Sequence, residues 1–547
     1  MKINFTDEQK EAIAYPKSMV LTACPGSEKT AVIVEKIVRD LRPCKDYQGV
    51  IAISYTNKAS EELKRRCVKN VTSTKSSFFG TIDKFYLNEI VFQYIHQIWG
   101  RAEKLKLIKF SDLPQESKQR LAIYKDIEDV CAKIDAYDFV ELKIIYDKGF
   151  VILEFIPLLA YFVLVKSSSS RRYLSTKYKS VYIDEYQDAG FIQHLIFILL
   201  STIGIKSVAV GDIDQSIYSY AGKSSKYLTA LLSKDSGFEP FEITINHRSH
   251  PSIINYASRL LNEKAELIPC EDIRVFRTTV NGTQRDISAW IDAEIFNMLK
   301  FYNVKKESKV AILLATNTSV SLVSSFVKTK CRAYLDDELS KVGGAASILL
   351  KSLLTFRYNK SATAQSIIDE LPHKSIGSNA LRSMRRVIKE VRLVDDLELI
   401  PSLRKAVKML IDEDLSAQHI DAISSLTGNR MMLNNYMPIS DDELQIMTLH
   451  KAKGLEFDIV FHLDLYDWIL PRREFIKDCY DEVFSNYEQY LNLHYVGITR
   501  AKKAIMLVNS TQRFNYKKEV KQAKPSQFFH VKGCVDFIKR LNRACNN

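Results

Sequence analysis

The chain has 547 residues, 46% hydrophobic and 26% charged, with a formal net charge of +13 and a pI of about 9.0. Such a balance excludes a disordered or collagen-like chain and is that of a globular protein long enough for three or four domains. The positive excess points to a polyanionic partner, nucleic acid before anionic membrane, with plain solubility as the alternative.

The N-terminal MKINFTDEQK has no apolar signal core. Residues 18–23 (SMVLTA) read as a strand and 23–30 (ACPGSEKT) as a turn of phosphate-loop type. Residues 31–41 follow with Ala31, Ile33, Val34, Ile37, Val38 and Leu41 at helical spacing. A second strand is expected at 49–56 and a helix at 57–70. From 86 to 180 the chain reads as mostly helical, with a Ser/Arg-rich break at 167–172. Within it, 151–165 (VILEFIPLLAYFVLV) carries Glu154 and Pro157 and is short for a membrane span, so a buried helix is expected. Strands return at 180–184 and 206–211, then at 309–315, 445–449, 458–464 and 503–509. The stretch 337–436 is again mostly helical, as in LRSMRRVIKEVRL at 381–393. This alternation predicts an α/β chain with two parallel-sheet cores, each carrying a mainly helical insertion. The tail beyond 511 is basic but contains FFHV and FIKRL, and is expected to pack. None of the nine cysteines form a Cys-x-x-Cys pair, which argues for reduced thiols in a cytoplasmic protein rather than a zinc ribbon or disulfide framework.

Three segments carry chemistry. In the turn at 23–30, backbone N–H groups and a helix N-terminus would converge on phosphate. Lys29 stands where a lysine reaches the outer phosphates, Thr30 where a hydroxyl holds Mg²⁺, and Gly26 allows close approach. In VYIDEYQD (181–188), Asp184 follows an apolar strand and would position Mg²⁺, while Glu185 would polarise the attacking water. An acidic helix cap is the competing reading of that segment alone. In VGDIDQSIYSYAG (210–222), Gln215 lies just past another strand and could contact the γ-phosphate or the attacking water.

With these residues in order, the chain resembles the UvrD/Rep/PcrA-type superfamily-one DNA helicases over its full length. FTDEQKEAI (5–13) resembles the adenine-reading motif, with Gln9 on the base. The loop residues Ala23, Cys24, Pro25, Gly26, Ser27, Glu28, Lys29 and Thr30 then become the ATP-binding segment. ISYTNKASEELKRR (53–66) and FGTIDKF (79–85) are similar to DNA-contact motifs, with Thr56, Asn57, Thr81 and Asp83 in place. Tyr220 falls at the position of a base-stacking aromatic and His450 in a further DNA-contact motif. INHRSHPSII (245–254) implies Arg248 at the γ-phosphate, MTLHKAKGLEFDIVF (447–461) implies Glu456 at the ribose, and YVGITRAKKAIML (495–507) implies Arg500 as an arginine finger. KPSQFF (524–529) resembles a segment that closes the second core.

The resemblance implies two RecA-like cores with ATP between them. The first would span 1–85 and 180–250, with the insertion 86–179. The second would span 251–336 and 437–530, with the insertion 337–436 and a tail at 531–547. It also implies ATP and Mg²⁺ as cofactors, and 3′-to-5′ movement on single-stranded and tailed duplex DNA in repair, recombination or phage defence. No membrane partner is expected, and the oligomeric state is open. Three positions depart from the family pattern. Glu28 replaces the glycine before the lysine, Cys24 replaces a glycine, and Ala221 replaces an arginine. Glu28 leaves two alternatives, a motor with weakened nucleotide affinity or a DNA-bound nucleotide-sensing subunit, and the resemblance leaves a third, a DNA-activated NTPase beside a separate nuclease.

Overall fold

The computed structural model describes residues 4–541 apart from 103–104, 125, 135–137, 216–224, 372–376, 475–481, 485 and 516–518, and it leaves the side chains of Asn57 and Lys58 undescribed. The chain forms two units. The first holds Met1–Ile245 with Gly343–Leu353 and Thr363–Leu415, the second Asn246–Val342, Leu354–Ala362 and Ser416–Asn547.

The strands of the first unit are β1 (Met19–Ala23), β2 (Gly49–Ile53), β3 (Phe78–Gly80), β4 (Lys106–Ile108), β5 (Phe150–Ile152), β6 (Tyr178–Ile183), β7 (Lys206–Gly211) and β8 (Glu239–Ile243). Six of them make one parallel sheet in the order β3-β2-β6-β7-β1-β8. Side chains alternate between two buried layers, as the two-residue period of a strand requires. Met19, Leu21, Val50, Ala52, Tyr182, Val208 and Val210 face one cluster, joined there by Ile33, Val34 and Ile37. Val20, Ile51, Ile53, Val181, Ile183 and Ala209 face the other, with Phe85, Tyr86, Leu159 and Phe197. Both faces being covered explains why these strands read as continuous apolar runs.

The segment expected as one buried helix at 151–165 is divided. Residues 150–152 are β5, paired with β4, and the helix proper is Ile156–Lys166, with Pro157 in its first turn where no N–H is needed. The Ser/Arg-rich stretch at 167–172 opens a new helix, Ser168–Lys177, because the Ser167 hydroxyl accepts from Ser170 N at 3.2 Å. Among the described residues no single helix is long and apolar enough to cross a membrane. Residues 343–353 and 363–415, expected within the second core's insertion, cluster with the first unit. Ion pairs Lys64–Asp369 (3.7 Å) and Lys84–Glu370 (4.0 Å) accompany that placement.

The second unit adds β9 (Val275–Val280), β10 (Val310–Leu314), β11 (Cys331–Ala333), β12 (Leu444–Thr448), β13 (Phe457–His462), β14 (Ala501–Ser510), β15 (Gln512–Phe514), β16 (Val520–Gln522) and β17 (Lys539–Arg540). Its main sheet is also parallel, in the order β11-β12-β10-β13-β14-β9-β17. The basic tail packs as expected: Phe528 and Phe529 are buried and β17 joins the sheet edge.

Candidate active site

In the first unit, β6, β7 and β1 are neighbours in the sheet although far apart in sequence, so the loops leaving their carboxyl ends meet. This is where open parallel sheets bind ligands. The loop after β1 turns at Gly26 (φ 76°) and Glu28 (φ 58°, ψ 33°). The Ser27 hydroxyl donates to Cys24 O at 2.8 Å, and the Glu28 carbonyl accepts from Ala31 N at 2.8 Å, which starts the helix Lys29–Leu41. Pro25, Gly26 and Ser27 are buried, whereas the Glu28 side chain is exposed and makes no cap bond. The Cys24 thiol donates to Thr244 O at 3.2 Å, and burial pushes it up to about 11, so it stays protonated.

Lys29 Nζ donates to Ala23 O at 3.0 Å and lies 3.6 Å from Asp212 Oδ2. Gln9 is buried; it closes a capping box with Thr6 and donates from Nε2 to Ser27 O at 3.0 Å. The adenine-reading candidate is therefore wired to the phosphate-loop backbone.

After β6, Asp184 N donates to Ile53 O at 3.1 Å, and Asp184 Oδ1 accepts from Glu185 N at 3.0 Å. Glu185 is itself left-handed (φ 57°). The buried Gln187 then bridges two loops: its Nε2 donates to Glu185 Oε2 at 2.5 Å, and its Oε1 accepts from Asp212 N at 3.0 Å. Gln215 Nε2 donates to Asp212 Oδ2 at 2.6 Å. The result is one connected set, Glu185–Gln187–Asp212, with Lys29 and Gln215 both on Asp212. Gly211 permits it, because a Cβ there would sit 2.6 Å from Gln187 Oε1. Sequence reading assigned no role to Gln187 or Asp212. Both lie inside quoted motifs, and the signal was a polar side chain immediately past a buried strand. Thr30 and Asp184 form an all-oxygen donor pair, which suits Mg²⁺ with water and phosphate oxygens completing its shell. Among the described residues there is no group of three or more His, Cys, Asp or Glu that could hold a metal without such help.

The DNA-contact candidates are scattered over loop ends. Exposed Thr56 caps the helix Asn57–Val68, accepting from Ala59 N at 3.2 Å, and Thr81 opens the helix Ile82–Phe85, beside exposed Asp83. β2 and β3, which lead to them, are paired. Burial, then the Lys453 charge, lowers the pKa of His450, on the helix Leu449–Ala452. Tyr220, Ala221 and the Asn57 side chain lie outside the described residues.

In the second unit, residues 456 and 500 precede paired positions, Phe457 and Ala501, of adjacent strands. Glu456 joins Arg248 (2.6 Å) and Lys502 (2.6 Å). Burial pushes its carboxyl up, but the Arg248, Lys502 and Arg500 charges outweigh it and hold the group below the usual range. Arg500 is buried; its Nε donates to Val496 O at 3.0 Å and its Nη1 to Leu455 O at 3.3 Å. The helix ahead of it, Tyr487–Ile498, packs close at Gly497, where a Cβ would lie 2.6 Å from Leu449 Cδ2 and 3.0 Å from the His462 ring.

A phosphate loop, a strand-end carboxylate pair and a second parallel-sheet unit bearing a buried arginine define a nucleoside-triphosphatase with two cores. The family model of the UvrD/REP helicase N-terminal domain matches residues 5–121 and 100–234, and that of the UvrD-like helicase C-terminal domain matches 354–512. The chain belongs to the UvrD-like helicases, which are DNA-dependent ATPases. It is 24% identical to Gabija protein GajB of Bacillus cereus (strain VD045), over 91% of this chain and 94% of that protein. It is 24% identical to ATP-dependent DNA helicase Rep of Buchnera aphidicola subsp. Baizongia pistaciae, over 99% and 96%. It is 22% identical to DNA helicase II of Escherichia coli (strain K12), over 98% and 88%.

Proposed function

We propose that the chain is an ATP-driven motor that moves 3′ to 5′ on single-stranded DNA and opens tailed duplex. The observation that carries this reading is the gathering of Lys29, Asp184, Glu185 and Asp212 at the carboxyl ends of three neighbouring strands. Lys29 would leave Ala23 O and Asp212 for the outer phosphates. Glu185, oriented by Gln187, would accept the proton of the attacking water. Gln215 would report on that water through Asp212. Thr30 and Asp184 would hold Mg²⁺, which supplies charge neutralisation on the phosphates when bound. Gln9 and Glu456 would contact the nucleoside, and Arg248 and Arg500 would meet charge developing on the γ-phosphate. Thr56, Asn57, Thr81, Asp83, Tyr220 and His450 would hold the strand through phosphate contacts and stacking.

The likeness to Gabija protein GajB favours a second reading of the output, in which turnover serves antiviral defence beside a separately encoded nuclease. One set of assays separates these. ATP hydrolysis stimulated by single-stranded DNA, abolished in Lys29→Ala, with displacement of 3′-tailed but not 5′-tailed duplex, is expected of the motor. Turnover without displacement would move the conclusion to the second reading. Turnover no higher than that of Lys29→Ala would overturn both and leave a nucleotide-sensing DNA-binding subunit.

A further inference from the structure

At the edge of the second unit's sheet, β9 and β17 pair in register so that Arg277 and Arg540 are direct partners. Leu541 N donates to Arg277 O at 3.0 Å and fixes that register. Paired residues project to the same face, and two like charges side by side there are unfavourable unless something neutralises them. Nothing among the described residues does: neither guanidinium has a hydrogen-bond or ion-pair partner. Arg277 instead lies over the buried Phe529 ring, its Cζ 3.8 Å from the ring centroid, a cation–π contact that uses none of its N–H donors. Burial, then the Arg540 charge, holds Arg277 below its ordinary value. The two arginines line a partly open cavity of about 40 Å³ together with Phe529, His530, Val535 and Ile538, and no carboxylate lines it.

We infer that this arginine pair is a binding site for one backbone phosphate of nucleic acid, separate from the strand-contact motifs named above. The inference rests on the DNA-binding reading of the chain and extends it. A cavity of this size takes a single tetrahedral anion, whereas a site enclosing a whole small-molecule ligand occupies about 300 Å³ or more. Two arginines sharing one phosphate supply the paired N–H geometry that such an anion favours. The net charge of +13 suits a polyanionic partner that continues beyond the site.

The test measures binding of a fluorescein-labelled 3′-tailed duplex across a salt series. It compares the full chain, Arg540→Gln, Arg277→Met and the double variant, with Lys300→Gln as a control for net charge. Arg540 is exposed, and methionine at 277 keeps an unbranched chain against Phe529, so both variants should fold. Each single change is expected to weaken binding about three- to tenfold at low salt and to reduce the slope of log K on log salt by about one. The double variant should be little worse than either single, because both arginines hold one phosphate. Variants that match Lys300→Gln in affinity and slope would overturn the proposal. So would an effect on inorganic phosphate alone, read as phosphate stabilising the wild type but not Arg540→Gln to heat with DNA affinity unchanged, which would assign the pair to a free anion. A wild-type chain that binds no DNA would sink the DNA reading itself, and this site with it.

Discussion

Glu28 shows what a single residue can cost in a phosphate loop. Its backbone is left-handed and its side chain is exposed, so it makes no contact that offsets the conformation. Left-handed backbone costs an L-residue about 1–2 kcal/mol that glycine avoids, though glycine gives back part of this in unfolded-chain entropy. Glu28→Gly is therefore expected to stabilise the protein by about 1 kcal/mol and to tighten ATP binding, since a carboxylate beside the phosphates also goes. Thermal unfolding with and without nucleotide checks both; a variant less stable than the parent, or binding ATP no better, would show that the glutamate serves the loop. Glu185 shares the left-handed backbone but has Gln187 to hold its carboxylate, so strain there comes with an oriented base. The need for a glycine-like conformation at 28 is legible in the sequence, because the family that the chain resembles carries a glycine before the phosphate-loop lysine. The Gln187 bridge is not, because its two partners lie on different strands.

At the scale of an element, the short helix Asp7–Ala14 is tied at both ends. Thr6 and Gln9 cap its start and Gln9 reaches Ser27, while Lys36 Nζ donates to Ala12 O (2.8 Å) and Tyr15 O (2.9 Å) at its finish. Lys36 is buried, and burial, with the Lys206 charge second, lowers its pKa to about 8. Below pH 8 the folded and unfolded states both carry the proton and stability is flat in this term. Between about 8 and 10.5 the unfolded state keeps the proton that the folded state sheds, so stability rises with pH. The stability difference between wild type and Lys36→Met should therefore grow across that window by up to about 3 kcal/mol. Denaturant midpoints at several pH values read it; a difference that stays level, or shrinks, refutes the assignment. Lys36→Met should also weaken ATP binding by loosening the helix that carries Gln9. Elements of this length were legible where apolar periodicity follows a strand, as for 31–41. The strands Phe78–Gly80, Cys331–Ala333 and Lys539–Arg540 were not, since two or three residues carry no period.

For the molecule as a whole, the prediction concerns Arg500, immediately before the strand β14 of the second unit's sheet. Arg500→Gln is expected to leave ATP affinity nearly unchanged while lowering DNA-stimulated turnover about 10³-fold. Equilibrium nucleotide binding and steady-state turnover separate the two effects, and equal losses in both would mean that Arg500 only supports the fold. Two parallel-sheet units with helical additions were readable from the alternation of strands and helices. Their sheet orders were not, because β1, β6 and β7 become neighbours only through long crossovers. Nor was the clustering of 343–353 and 363–415 with the first unit, since chain order places them within the second. The close packing at Gly497 has a consequence for relatives of this chain. Positions 449, 462 and 497 share one small volume, so they cannot drift independently. A homologue with alanine at 497 must turn the residue at 449 aside or carry a smaller one there, and positions 449, 462 and 497 should covary when such sequences are set side by side.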